Sequence, residues 1–196
     1  MFKLNCIKIS NAHHVELMRC IYNENIDSLS THPLPYRTYE EQQIWWKSAS
    51  AYSEAYLYEP ITKPGKFVAF LLLRYRKGFC TPTIAIQREE WGSHYGQEIV
   101  KDYILKANGP LAGFQLQSNK AICHINKKVG WQILGEKEDG DKCIDLLFHP
   151  GINKNKQCSE EVFEEILKYL GITVDDSKFS FEQLNKPYLN SNESGY

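Results

Sequence analysis

The chain has no surplus of either charge: 23 Lys and Arg stand against 24 Asp and Glu, a formal net charge of −1 over 196 residues. No global field draws it to nucleic acid or to anionic lipid, so a polyanion would have to be held by a local site. Long apolar runs are missing as well. The longest, Phe67 to Leu73, is far short of the roughly 20 residues a membrane helix needs, and no membrane partner is expected. The first ten residues are broken by Lys3, Asn5 and Lys8 and lack the apolar stretch of a signal peptide. The cysteines, Cys6, Cys20, Cys80, Cys123, Cys143 and Cys158, form no Cys-x-x-Cys pair and have no nearby His at ligand spacing. That argues against a zinc site and against a disulfide framework. No metal is expected, and the thiols are expected to be reduced in a cytoplasmic protein.

Apolar material is ample, with 42% hydrophobic and 13% aromatic residues. A chain of this size can bury roughly 70% of its unfolded surface, so general disorder is excluded and one compact unit is expected. Residues 2–9 alternate as a strand (Phe2, Leu4, Cys6). Asn11 is a suitable cap for a helix with Val15, Met18, Ile21 and Tyr22 on one face. Pro33 and Pro35 mark a loop; Thr38 with Glu41 forms a capping box for a second helix carrying Ile44, Trp45 and Trp46. Strands are expected over Ala55 to Glu59, Phe67 to Tyr75 and Thr81 to Ile86. A helix from Gly96, stopped by Asn108, Gly109 and Pro110, precedes a strand over Leu111 to Gln117. Ser118 or Asn119 caps a further helix, and a hairpin follows across Glu138-Asp139-Gly140-Asp141.

The order βααβββαβαββ predicts a mixed sheet with helices on its faces. Composition changes after Pro150. Residues 1–150 are expected to form the domain, and 151–196 a C-terminal extension: a polar linker Asn153 to Lys156, an amphipathic helix Ser159 to Leu170, a short helix capped by Ser180 and Gln183, and a frayed tail Asn190 to Tyr196. The amphipathic helix suits either pairing with a second copy, as a homodimer, or covering the sheet's edge.

The chemically informative stretch is Ile84-Ala85-Ile86-Gln87-Arg88-Glu89-Glu90-Trp91-Gly92-Ser93-His94-Tyr95-Gly96-Gln97-Glu98. A buried strand passes through small residues into a helix, which aims backbone N–H groups and a positive helix end at one point, a good place for phosphate oxygens. The same glycines also suit an ordinary turn. The spacing is neither the Walker pattern nor the dinucleotide fingerprint. It resembles the pyrophosphate loop of the GNAT superfamily of N-acetyltransferases, Arg/Gln-x-x-Gly-x-Gly/Ala, with Trp91 to Gly96 in the six positions. Trp-Gly-x-x-Tyr-small followed by Glu98 is similar to the branch of ribosomal-protein-alanine and amino-sugar acetyltransferases. Trp91 departs from the usual Arg or Gln. His94 stands at the first Gly and must reach the required backbone angles at a steric cost. Downstream, Asn119, Ala121, Lys128, Gly130 and Trp131 fit the family's second frame. The resemblance spans residues 1–149.

The resemblance implies an α+β (α/β/α) fold with a mostly antiparallel sheet of about seven strands, splayed between the fourth and fifth, and helices on both faces. It implies acetyl-CoA as cosubstrate, with Ile84, Ala85 and Ile86 orienting the pantetheine and thioester, and Trp91, Gly92, Ser93, His94, Tyr95, Gly96 and Gln97 at the pyrophosphate. An amine then attacks the thioester directly. The implied acceptor is a small-molecule amine, a metabolite or amino sugar, with a protein N-terminus as the second class; a CoA-binding module without turnover is the reading of another kind. Asn119 serves as helix cap or as cofactor contact. Asn126 stands where many members carry the Tyr that protonates the thiolate, and it cannot do so. Glu54, Glu89, Glu90 and His149 remain as candidates for base or acid. Trp45 and Trp46 serve the core or shape an acceptor pocket.

Overall fold

Asn11 begins the first helix as expected: its side chain accepts a hydrogen bond from the His14 N–H, and α1 runs Ala12–Glu24 behind a first strand, β1, Leu4–Lys8. Thr38 caps α2, Tyr39–Ala49, with both halves of the capping box made between Thr38 and Glu41. The computed structural model describes residues 3–30, 32, 34–152 and 158–184. Phe2, Pro33, the linker Asn153 to Lys156 and the tail Asn190 to Tyr196 lie outside those residues.

The remaining elements are β2 (Ser53–Pro60), β3 (Ala69–Tyr75), β4 (Cys80–Ile86), α3 (Tyr95–Ala107), β5 (Leu111–Leu116), α4 (Lys120–Lys128), β6 (Gln132–Asp139), β7 (Lys142–His149), α5 (Glu160–Leu170) and α6 (Phe181–Leu184). The order is the one expected. All seven strands join one sheet, β1-β2-β3-β4-β5-β7-β6, antiparallel throughout except where β4 runs parallel to β5. The last hairpin is tighter than the four-residue turn expected from sequence. Glu138 pairs with Cys143 and Asp139 with Lys142, leaving Gly140 and Asp141 as a two-residue turn, with Gly140 at φ 65°. Asp139 is thus strand, because the ladder continues until Gly supplies the positive φ the reversal needs.

Strand alternation gives the sheet two different faces. On one, Leu71, Leu73, Cys80, Leu111 and Leu147 pack under Ile99, Val100 and Tyr103 of α3, and Trp131 donates its indole N–H to the Tyr103 hydroxyl at 2.9 Å. On the other, Leu57, Phe70, Leu72 and Ala85 pack with Val15, Met18 and Ile21 of α1. The same face, farther along, carries Ala112, Leu134, Leu146 and Phe148 beneath α5. Phe163, Ile166, Leu167 and Leu170 recur at helical spacing and are all buried there. The apolar stripe of α5 is therefore used on the sheet's face rather than at its edge. Among the described residues no helix is long and apolar enough to cross a membrane.

Candidate functional site

The sheet is held together unequally. β3 and β4 pair along their whole length, from Ala69 with Ile86 to Tyr75 with Cys80, whereas β4 and β5 pair only at Cys80 and Leu111. The Cys80 N–H donates to the Pro110 carbonyl at 2.9 Å. The next donor in a parallel ladder would be the N–H of residue 82, aimed at the Ala112 carbonyl. Residue 82 is proline, which has no N–H, so the ladder stops and the strands part. Pro82 is thus the feature of the sequence that marks where the ladder stops.

The parting leaves an open backbone edge. Gln87 donates its N–H to the Val68 carbonyl at 2.8 Å, which fixes the alternation: Thr81, Thr83 and Ala85 bond β3, while Pro82, Ile84 and Ile86 turn their polar groups toward β5. Ala85 is buried against the α1 side, so its backbone and methyl both point away from the gap. Ile84 and Ile86 are half-buried and border the gap with Tyr95, Ile122 and Ile125 on the α3 and α4 side. The Ile86 carbonyl is occupied, accepting from the Trp91 indole N–H at 3.0 Å and the Asn25 amide at 3.1 Å. Among the described residues the polar groups left without a backbone partner on that edge are the Pro82 C=O, the Ile84 N–H and C=O and the Ile86 N–H.

Beyond β4 the chain makes one 3-10 turn, Arg88–Glu90, and enters α3. Gly92 has φ 84° and His94 φ 68°, both left-handed. The conformation anticipated at His94 is thus present in a residue that favours it little. The Ser93 N–H returns to the Glu90 carbonyl and the Gln97 N–H to the His94 carbonyl, each at 3.3 Å. Among the described residues the N–H groups of Gly92, His94, Tyr95 and Gly96 have no acceptor, as expected of a helix start. A Cβ on Gly96 would meet Ile125 at 3.4 Å and Ile86 at 3.6 Å; the position faces the mouth of the gap, where a larger side chain would fill it. Trp91 is exposed and lies back over the end of β4, with the Arg88 guanidinium 5.7 Å from its ring.

The other candidates stand apart from that edge. Asn119 caps α4, accepting from the Ile122 N–H at 3.2 Å. Asn126 is buried and donates to Gln115 Oε1 at 2.8 Å, Gln115 and Gln117 each donate to Asp145 at 2.7 Å, and Asn126 Oδ1 is without a partner among the described residues. Glu54 receives Lys8 Nζ on one oxygen and the Tyr56 and Tyr75 hydroxyls on the other; these bonds, that of Lys8 foremost, hold its pKa below the ordinary glutamate value. Glu89 pairs with Lys66 at 2.7 Å, and Glu90 with Lys66 at 2.9 Å and Lys63 at 3.5 Å. His149 lies buried on β7 opposite Leu111. Its Nδ1 accepts from the Gly151 N–H at 2.9 Å and its Nε2 donates to the Val129 carbonyl at 3.1 Å, which consumes both ring nitrogens of a neutral imidazole. Burial lowers its pKa. None of the six cysteines is in a disulfide, and among the described residues no three of His, Cys, Asp and Glu gather as a metal site.

No family model and no curated protein sequence matches the chain. Solved structures do. The spermidine N-acetyltransferase from Vibrio cholerae, in complex with CoA and spermine, superposes with a TM-score of 0.65 at 12% identity, over 76% of this chain and 96% of that one. An acetyltransferase of the GNAT family from Streptococcus pneumoniae gives 0.62 at 18%, over 76% and 99%. A putative acetyltransferase from Salmonella typhimurium, with its cofactor acetyl-CoA, gives 0.62 at 11%, over 76% and 94%. The architecture is that of the GNAT fold: a mostly antiparallel seven-stranded sheet, parallel only at β4 and β5, with helices on both faces.

Proposed function

We propose that this chain, built on the GNAT fold, is an N-acetyltransferase that takes an acetyl group from acetyl-CoA and passes it to a primary amine by direct attack. The observation that carries the reading is the open edge of β4 beyond Cys80, ending in a turn whose Gly92 and His94 hold left-handed angles. The residues fit an extended, polyanionic thioester. Free N–H groups at a helix start suit phosphate oxygens without a basic surface, and the half-buried Ile84, Ile86, Ile122 and Ile125 suit an apolar arm. The bound cosubstrate would supply the activated acetyl group and a thiol leaving group.

In this reading the turn from Trp91 to Gln97 anchors the phosphates, and the Ile84 N–H polarises the thioester carbonyl as a fixed donor. Asn119 closes the opposite side from the start of α4. The chain's main contribution is to hold amine and thioester together. With Asn126 at the acid position, CoA leaves as the thiolate, which a thiol pKa of about 8.5 makes tolerable. The bonding of Glu54, Glu89 and His149 in ion pairs and saturated hydrogen bonds disfavours them as bases, and the amine loses its proton to solvent. The acceptor is a small-molecule amine. The division into an acetyl-CoA-binding unit, 1–150, and an extension, 151–196, belongs to the same proposal, as does the branch likeness of Trp91-Gly92-x-x-Tyr95-Gly96.

The test is release of CoA thiol from acetyl-CoA in the presence of an amine library. Amine-dependent release supports the enzyme. Tight acetyl-CoA binding with no release for any amine would favour a CoA-binding module instead, to which the missing acid at Asn126 is suited.

A further inference from the structure

On the face opposite α3 and α4, the helices α1 and α2, the chain between them and the strands β3 and β4 line an open-mouthed pocket of about 260 Å3. Its lining is mostly apolar, yet two guanidiniums, Arg37 and Arg74, enter it. Arg37 is clamped: its guanidinium lies 4.4 Å from the Tyr22 ring and 4.8 Å from the Trp45 ring, and it donates to Gln42 Oε1 at 3.0 Å. Gln42 is itself buried. Arg74 is half-buried and donates to the Thr83 hydroxyl at 3.0 Å. Among the described residues neither arginine has a carboxylate partner, although Arg19 and Arg88 do. Burial lowers the pKa of Arg74; Tyr169 opposes this, while Arg76 and Arg37 add to it.

A guanidinium does not shed its proton in a protein, so two of them at one half-buried hollow, neither paired with a carboxylate among the described residues, offer a place for an anion. Their planar forks match a carboxylate, which each can grip with two parallel bonds. The floor of the cavity includes Thr83, the neighbour of Ile84, whose N–H and C=O lie on the open edge. An anion held at Arg37 and Arg74 would therefore lie on the α1 side of β4, beside the strand whose other edge carries the Ile84 N–H. We propose that the acceptor is a compact amine bearing a carboxylate, of the α-amino-acid type, and that Arg37 and Arg74 bind that carboxylate while the amine is directed toward the β4 edge. The volume lies just below the roughly 300–1,000 Å3 usual for ligand pockets, which suits a compact molecule. The same two charges repel a polyamine. This inference rests on the acetyl-transfer reading and narrows its acceptor.

The experiment compares L-amino acids with their decarboxylated amines, one pair at a time, in the thiol-release assay on the full chain, with acetyl-CoA affinity measured separately by calorimetry. Amino acids are expected to exceed their decarboxylated partners in kcat/KM by about 100-fold, the worth of a hydrogen-bonded charge pair. Arg74→Gln and Arg37→Gln should each raise the amino-acid KM by about 10-fold or more, with Arg74→Lys recovering only part and acetyl-CoA affinity unchanged. Because Arg37 also packs on two rings, each variant's unfolding midpoint is recorded, and Arg74→Gln alone suffices if Arg37→Gln unfolds. Binding of the amino acids to the CoA-saturated chain, followed by saturation-transfer NMR, applies whether or not turnover occurs. Equal use of the decarboxylated amines, a preference for phosphorylated over carboxylated amines, no amino-acid binding, or an unchanged KM in Arg74→Gln would each overturn the proposal while leaving acetyl transfer standing. Absence of acetyl-CoA binding would instead remove the reading beneath it.

Discussion

Cys80 and Leu111 form the single backbone pair that joins β4 to β5, at the closed end of a gap that widens toward Ile86. Both side chains are buried, at 1% and 0% exposure, so the hinge is dry while the far end is open. The pairing stops because Pro82 cannot donate the next ladder bond. The opening in the sheet thus begins where one N–H is missing.

The left-handed turn at His94 is held against its own preference. A non-glycine residue at φ 68° costs about 1 kcal/mol or more relative to glycine, and the His94 side chain makes no capping bond to α3. His94→Gly is expected to raise stability by about 1 kcal/mol, read from the urea midpoint. An unchanged or lower midpoint would show that the imidazole compensates for its backbone.

Asn126 is expected to matter for stability and not for proton transfer. Replacing it with alanine leaves Gln115 Oε1 without its donor, a loss of about 1–3 kcal/mol for a buried polar group. The rate of thiol release at saturating substrate should stay within about threefold, far less than the 10²–10⁴-fold that an acid contributes. A drop of that larger size would assign Asn126 a part in the chemistry.

Glu54→Gln and Glu89→Gln address the proton on the amine. With both carboxylates engaged by lysines, each variant is expected to keep kcat/KM within about threefold, below what a general base contributes. With solvent taking the proton, kcat/KM should climb about tenfold per pH unit up to the acceptor amine's own pKa. A plateau near neutrality, or a large loss in either variant, would reveal a base in the protein.

His149 makes stability depend on pH. Burial lowers its pKa from 6.5, so the unfolded chain takes up the proton first as pH falls. The stabilisation is present above that value and is lost as pH falls from it toward the lowered native pKa. Urea midpoints at a series of pH values should decline over that window, and His149→Gln should flatten the decline. An equally steep decline in the variant would move its origin elsewhere.

Much of the fold was legible because local chemistry and global order agree. Asn11 and Thr38 cap the helices that their positions imply, Asn119 rather than Ser118 caps α4, and the stripe from Phe163 to Leu170 is the buried face of α5. The left-handed angle at His94 was anticipated too, through the resemblance, which sets a glycine at that position. What escaped depends on strand parity and on distance along the chain. Nothing local says whether the missing N–H of Pro82 faces β3 or β5; that follows only from the register of β3 with β4. Arg37 and Arg74 lie 37 positions apart, in a loop and a strand, and meet only because α1 and α2 roof β3 and β4. Glu54 and His149 looked available in sequence because the partners that saturate them come from other elements: Lys8 and Tyr75 for one, Val129 for the other.

Calorimetric titration shows whether the gap between β4 and β5 and the turn at its mouth bind acetyl-CoA. The native chain is expected to bind one acetyl-CoA, and Gly96→Val, whose branches must meet Ile125 and Ile86, to weaken binding by about tenfold or more while still unfolding cooperatively. Gly96→Ala, whose Cβ makes only ordinary contacts, should lie between them. No binding to the native chain, or equal affinity in Gly96→Val, would contradict the account.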